Sequence, residues 1–417
     1  MYDILRGVKV VEVASFVFVP LMSAILADWG AEVVKVEHPA TGDPYRGLVT
    51  AGMTSTVDGV DLSFQYANRG KRSIGLDLAT ARGRDLLGEL VTTADVFATN
   101  LRPKARAHLG IELDDMRALN PDVIYVRGSG FGQHGPQAET AALDGTAYWA
   151  RGGVAAALTP PGARRPLMQR PAFGDVMAAM TLAGGVAAAL YRRAVQGEPS
   201  VVDVALLNVG MWQVQRDILS AQFDGPDPPE RTISRGQRNP LTGSYETKDG
   251  RFITLAVVNP DPYWQEFCEA VGRPDLVADP RFATMSSRQQ HGDECVALLD
   301  ELFRSETYDT WRDALASFSG AWAPVQRPYD LRHDEQARRN GFFTELDGGH
   351  DRPFEVVSSP VTFDEFDEPR RMSPAPEVGQ HTEEILLELS YSWGDIGALK
   401  DARVINCLAR RTRAMHA

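Results

Sequence analysis

The chain has 417 residues, enough for two or three domains that each bury a core, and its 43% apolar and 24% charged content excludes a disordered polymer. Lys and Arg number 43 against 56 Asp and Glu, and the resulting net charge of −13 disfavours nucleic-acid binding except through a local basic stripe. The three cysteines, Cys268, Cys295 and Cys407, match neither a CxxC pair nor a zinc spacing, so a reducing, cytoplasmic setting is expected.

Val8 to Ala14 reads as a strand, Pro20 suits the first turn of a helix through Asp28, Gly30 stops that helix, and a second strand runs to Glu37. The apolar run Val13 to Ala27 is too short for a membrane helix, and the strand pattern after it marks it as core rather than a secretory signal. Ser73 to Leu78 is expected to be extended, Thr80 to Thr92 helical, Val96 to Thr99 a strand, Glu112 to Leu119 a helix and Val123 to Val126 a strand. This alternation predicts an α/β, Rossmann-like large domain whose mostly parallel sheet is covered on both faces. Val176 to Leu190 follows as a long apolar helix ending at Arg192 and Arg193, its small residues allowing close approach of another backbone, and a further helix is predicted from Asp203 to about Leu219. DGPDPPER, Asp224 to Arg231, has linker composition. Beyond it a hairpin turning at Asp249-Gly250 and helices over Tyr263 to Val271, Ser287 to Phe303 and Thr307 to Phe318 predict a smaller α+β domain. The expected organisation is therefore 1–225 as the first part of the large domain and 226–330 as the small domain. Residues 331–417, with a strand at Phe354 to Val357 and a helix at Glu383 to Leu389, are expected to return to the large domain.

Gly130 to Gly135 fits G-x-G-x-x-G after a strand, but Pro136 stands where a phosphate-binding helix should begin, so a site edge is expected there and dinucleotide binding is not. Asp175, just before the apolar run, has two readings: a helix N-cap, or a nucleophilic carboxylate beside helix N–H groups. Two basic clusters, Arg69, Lys71 and Arg72, then Arg102, Lys104 and Arg106, are either solvated faces or contacts for a phosphate-bearing ligand. His38, Asp144 and His381 are lone polar residues near turns, and with no HExxH or carboxylate-rich spacing no metal is expected.

Six blocks occur in one order: LRGVKVVEVAS, LADWGAEVVKVEHPATGDPYR, NRGKRSIGLDL, ADVFATNLRP, NPDVIYVRGSGFGQHGP and PEVGQHTEEILLELSYS. Together they resemble the family III CoA transferases, the carnitine dehydratase-like group that includes formyl-CoA transferase and the α-methylacyl-CoA racemases. The resemblance implies an interlocked homodimer acting on an acyl-CoA and a carboxylic acid, while charge, cysteine usage and the short apolar run give the expectation of a cytoplasmic protein with no nucleic-acid or membrane partner. It also implies that Asp175 is the nucleophile, with Asp144 beside the substrate or the thiolate, and that backbone N–H groups near Val176 and the turn at Gly130 to Gly135 hold oxyanions. Coenzyme A would lie along His38, Leu76, Asp77, Leu78, Ala79, Asn100, Leu101, Arg102, His108 and the segment Ala141 to Asp144, which includes Leu143. Ala79 and His108 stand where relatives often carry Lys and Arg, so Lys71, Arg72 or Lys104 would take a share of the phosphates. Arg235-Gly236-Gln237 falls near the family's mobile glycine loop. The racemases place a His before the Asp at 144, and Leu143 supplies no second acid or base, so transfer is expected over racemisation. A catalytically silent acyl-CoA scaffold would not need Asp175. The apolar turn Phe16-Val17-Phe18-Val19 favours an acid less polar than oxalate.

Overall fold

The computed structural model describes residues 2–54, 56–57, 60–160, 162–224, 239–346, 354–364 and 371–406. Cα packing divides the chain into two units, Met1–Asp227 with Gln336–Ala417, and Pro228–Glu335.

The first unit begins with β1 (Lys9–Val13), α1 (Phe18–Asp28) and β2 (Glu32–Glu37). Every residue of α1 is buried, so the early apolar run is a core helix. Gly30 closes it at φ +104, where an added Cβ would stand 2.6 Å from the Tyr2 carbonyl oxygen, so only glycine lets the chain reverse there. α2 (Leu62–Asn68) leads to β3 (Arg72–Leu76), and α3 (Ala81–Thr92) follows with Thr80 accepting the Gly83 N–H at 3.0 Å as its cap. Next come β4 (Val96–Thr99), α4 (Pro103–Leu109), α5 (Leu113–Leu119) and β5 (Ile124–Ser129). α6 (Phe173–Gln196) then runs longer than its apolar core predicts.

The helix expected from Asp203 does not start there. Val201–Ala205 is instead a strand, β6, and α7 (Leu206–Gln213) and α8 (Gln215–Asp224) follow it. Val201, Val202 and Val204 favour the strand, and Asp203 takes a cross-strand bidentate pair with Arg127 of β5 at 2.6 and 2.7 Å.

In the second unit β7 (Thr242–Glu246) and β8 (Phe252–Ala256) form the hairpin predicted at Asp249-Gly250, joined by β9 (Trp322–Pro324). Its longer helices are α9 (Asp261–Ala270), α10 (Met285–Gln290), α11 (Gly292–Ser305) and α12 (Tyr308–Ala314), around a core that contains the buried thiols Cys268 and Cys295. The linker segment from 225, the Arg235-Gly236-Gln237 loop and Cys407 lie outside the described residues.

The chain's last part contributes a small sheet of β10 (Phe343–Leu346), β11 (Phe354–Val357) and β12 (Arg371–Met372) to the first unit. It continues with α13 (Thr382–Glu388), α14 (Trp393–Asp401) and β13 (Ile405–Asn406). The main sheet has the order β13-β3-β2-β1-β4-β5-β6, parallel throughout except for β13. Alternate residues face opposite cores: Val10, Val33 and Val96 pack with α1 and α6, while Val11, Val34 and Phe97 pack with α3, α13 and α14. This is the mixed α/β architecture with a mostly parallel sheet that the alternation predicts. The strand order reverses between β1 and β4, and in such sheets the crevice beyond the strands' carboxyl ends at that reversal is where ligands bind.

Candidate active site

Side chains bridge the reversal directly. Asn100, one residue past β4, accepts the Ser15 N–H at 3.0 Å and donates Nδ2–H to the Ser15 carbonyl at 2.7 Å, pinning the turn after β1. Two adjoining cavities open here and share Ser15, Pro44 and Leu101. The first, of about 370 Å³, is walled by Phe16, Val17, Phe18, Leu143 and Leu206 and contains Asp175. The second, of about 350 Å³, is lined by Glu37, His38, Asp43 and the run Leu76 to Ala79.

Asp175 is not the cap of α6. The capping position belongs to Ala172, in the left-handed region at φ 65, and Asp175 is the third residue of the helix. The Asp144 carboxylate instead accepts the Gly174 N–H at 3.2 Å, capping the helix from outside. Only glycine fits at 174, since an added Cβ would meet the Tyr148 ring at 2.4 Å. Among the described residues no hydrogen bond reaches the Asp175 carboxylate. Burial first, and then the Asp144 charge, push its pKa from 3.8 up to about 7. The result is a carboxylate in a cavity walled by both apolar and polar side chains, with no hydrogen-bond partner for either oxygen among the described residues. Tyr66 lies near enough to the two carboxylates that, after burial and Tyr45, their charges add to the upward shift of its phenol.

Of the residues expected at the cofactor, Asn100, Leu101, Arg102 and Leu143 line the first cavity, and His38, Leu76, Asp77, Leu78 and Ala79 line the second. Three others stand elsewhere. Lys71 is wholly buried, its ammonium donating to Glu12 at 2.8 Å, the Pro20 carbonyl at 2.7 Å and Asn68 at 2.9 Å, so it has no hydrogen left for a phosphate. The Arg72 guanidinium is paired with Glu384 and Glu388 of α13 at 3.0 and 2.6 Å. His108 sits exposed on α4 and lines neither cavity. The Val176 N–H expected near an oxyanion is spent on the Ala172 carbonyl at 3.0 Å. Of the glycine turn, Gly130 lines the first cavity, and no helix follows directly after it, as Pro136 predicts.

Arg106, which the sequence marks only as one of a basic cluster, is a wall residue of the first cavity. It is buried, donates to the Leu101 carbonyl at 2.8 Å and to Gln133 at 3.1 Å, and so ties α4 to the turn after β5. Nothing in the spacing distinguishes it from Lys104, whose side chain is exposed on the same helix.

The profile of CoA-transferase family III matches residues 5–382. The chain is 32% identical over 403 residues to (R)-2-hydroxy-4-methylpentanoate CoA-transferase of Clostridioides difficile, covering 96% of this chain and 99% of that protein. It is 30% identical over 399 residues to cinnamoyl-CoA:phenyllactate CoA-transferase of Clostridium sporogenes, covering 95% and 96%. A crystal structure of a CaiB/BaiF family protein from Brucella suis aligns with a TM-score of 0.79 at 28% identity, over 92% of this chain and 99% of that one. Near-complete coverage in both directions, on a fold whose sheet reverses at the cavity holding Asp175, makes this chain a member of CoA-transferase family III and a CoA-transferase acting between acyl-CoA thioesters and acids.

Proposed function

We propose that this CoA-transferase works by covalent catalysis on Asp175. The reading rests on one observation: a carboxylate with no hydrogen-bond partner among the described residues, its pKa raised to about 7, inside the cavity at the strand-order reversal. An oxygen of ionised Asp175 attacks the thioester carbonyl of the donor. The C–S bond breaks, releasing CoA thiolate and leaving a mixed anhydride between Asp175 and the acyl group. The thiolate then attacks the aspartyl carbonyl, frees the first acid as its carboxylate and forms an aspartyl-CoA thioester. The acceptor carboxylate attacks that thioester, and the returning thiolate completes the new acyl-CoA and restores Asp175. Raising the pKa of a carboxylate makes it a better nucleophile, and a value of about 7 keeps a large fraction ionised at neutral pH.

The first turn of α1 supports the developing oxyanion. Phe16, Val17 and Phe18 line the cavity, α1 has no side-chain cap, and the N–H groups of Phe18 and Val19 have no partner among the described residues. Orphan donors at the positive end of a helix stabilise negative charge beside them. Asp144 sets the start of α6 and raises the Asp175 pKa. In the second cavity His38 and Leu76 to Ala79 would flank the nucleotide end of CoA, while exposed Arg102 and Lys104 supply charge for its phosphates.

The apolar wall selects a medium-sized apolar acid. That agrees with the acids for which two relatives are named, 2-hydroxy-4-methylpentanoate and phenyllactate. We also propose the interlocked homodimer. Its support is the apolar surface that the single chain leaves exposed on α6 and α7, where Val176, Met177, Tyr191, Val195 and Trp212 stand out. A screen of acyl-CoAs against free acids, read by mass spectrometry for new thioesters and for an Asp175 adduct, tests the assignment. Branched and aromatic acids should outrun oxalate and succinate. Turnover without any adduct on the peptide carrying Asp175 overturns it.

A further inference from the structure

Three of the four residues of the turn between β1 and α1, Ala14, Ser15 and Phe16, are held by side chains from other segments. Lys35 donates to the Ala14 carbonyl at 2.9 Å, Asn100 grips Ser15 on both sides, and Asp43 accepts the Phe16 N–H at 3.1 Å and the Tyr45 N–H at 2.9 Å. The second Asp43 oxygen forms an ion pair with Lys35 at 2.9 Å, and Lys35 pairs in turn with Glu12 at 2.8 Å. The side chains of Lys35, Glu12 and Asp43 are all fully buried. Such a set costs desolvation that a packed apolar core would avoid, so its presence calls for a reason beyond stability. The turn supplies one. Phe16 has φ 66, a conformation that a residue with an aromatic side chain rarely adopts.

Phe16 and its two successors wall the first cavity, whereas Asp43 and its neighbours Gly42 and Glu37 line the second. Asp43 thus belongs to one cavity and shapes the other. We propose that Asp43, held by Lys35, is a positioning residue that fixes the left-handed Phe16 turn and thereby sets the acyl-cavity wall and the first turn of α1 against Asp175. This inference rests on the first cavity being where acyl transfer occurs.

A double-mutant cycle tests it on the full chain, with Asp43→Ala, Phe16→Gly and the pair, and Asp175→Asn measured alongside. Asp43→Ala should lower kcat by about 100-fold, since a misplaced wall spoils the attack geometry. KM for acyl-CoA should stay within about threefold of wild type. Asp43→Asn keeps an acceptor for the Phe16 N–H and should lose less. Glycine adopts positive φ freely, so adding Phe16→Gly to Asp43→Ala should leave a rate about tenfold or more above the product of the two single losses. Losses that simply multiply, or a loss carried wholly by KM, overturn the proposal. Should Asp43→Ala fail to fold by circular dichroism, the cycle built on Asp43→Asn and Phe16→Gly replaces it, and there too a rate equal to the product of the single losses overturns the positioning role. An active Asp175→Asn enzyme removes the site reading and this proposal with it, whereas an inactive one beside multiplying losses removes the positioning role alone.

Discussion

Asp175→Asn should make the folded protein more stable above neutral pH while abolishing transfer. Burial and Asp144 raise the Asp175 pKa from 3.8 to about 7, so the folded chain holds that proton more tightly than the unfolded chain. The stability this confers is fully present below the unfolded value and is lost as pH rises through about 7. Keeping the carboxylate ionised at pH 8 then costs up to about 4 kcal/mol at 1.36 kcal/mol per pKa unit. The side chain is not fully buried, and solvent screening in the open cavity reduces this to about 1–2 kcal/mol. Asn has the same shape and no charge. It forfeits no cap, because the Gly174 N–H is taken by Asp144.

The assay is thermal unfolding of both proteins from pH 4 to pH 8.5, with transfer rates on the same preparations. Melting curves should nearly coincide at pH 4 and separate as pH rises through 7, the Asn variant melting a few degrees higher. Its transfer rate should fall by about 10³-fold or more, since an amide cannot form the anhydride. A variant less stable than wild type by the same margin at every pH would show that Asp175 serves the helix and is not an energetically costly, reactive carboxylate.

Lys71→Met should destabilise the fold by about 1–3 kcal/mol, because it leaves the second oxygen of the buried Glu12 carboxylate unpaired while Lys35 still holds the first. Denaturant titration checks that, and the acyl-CoA KM of the folded fraction should not change if Lys71 is internal to the core. Arg102→Ala should raise the acyl-CoA KM by about tenfold while leaving the acid KM within about twofold, as steady-state titration of each substrate would show. Asp144→Asn keeps an acceptor for the Gly174 N–H but removes the charge beside Asp175. The Asp175 pKa should fall, and the acidic limb of the kcat/KM profile should move to lower pH by up to about one unit.

The strands were legible because both faces of the sheet are covered, and segments such as Val96–Thr99 and residues 124–126 are correspondingly continuous in β-branched and apolar residues. β6 was hidden because Val201–Ala205 runs into α7 with no turn residue between, so one apolar stretch contains two periodicities. At the site, the residues that the family resemblance implies at the cofactor, His38, Leu76 to Ala79 and Asn100 to Arg102, lie at strand ends and line the two cavities. The basic cluster misled for a reason that the sequence also contains. Glu12 and Lys35 each sit between valines inside a strand, and they are register partners across β1 and β2. A charge at a doubly covered strand position must find a counter-charge inside the protein, and two carboxylate oxygens there can claim a second cation, which Lys71 supplies. The two aspartates pose the converse problem. Sequence adjacency to the helix start makes Asp175 look like its cap, but a cap is defined by which oxygen meets the free N–H. The tertiary path that brings Asp144 to the Gly174 N–H assigns the structural duty to one carboxylate and leaves the other, Asp175, without a hydrogen-bond partner among the described residues.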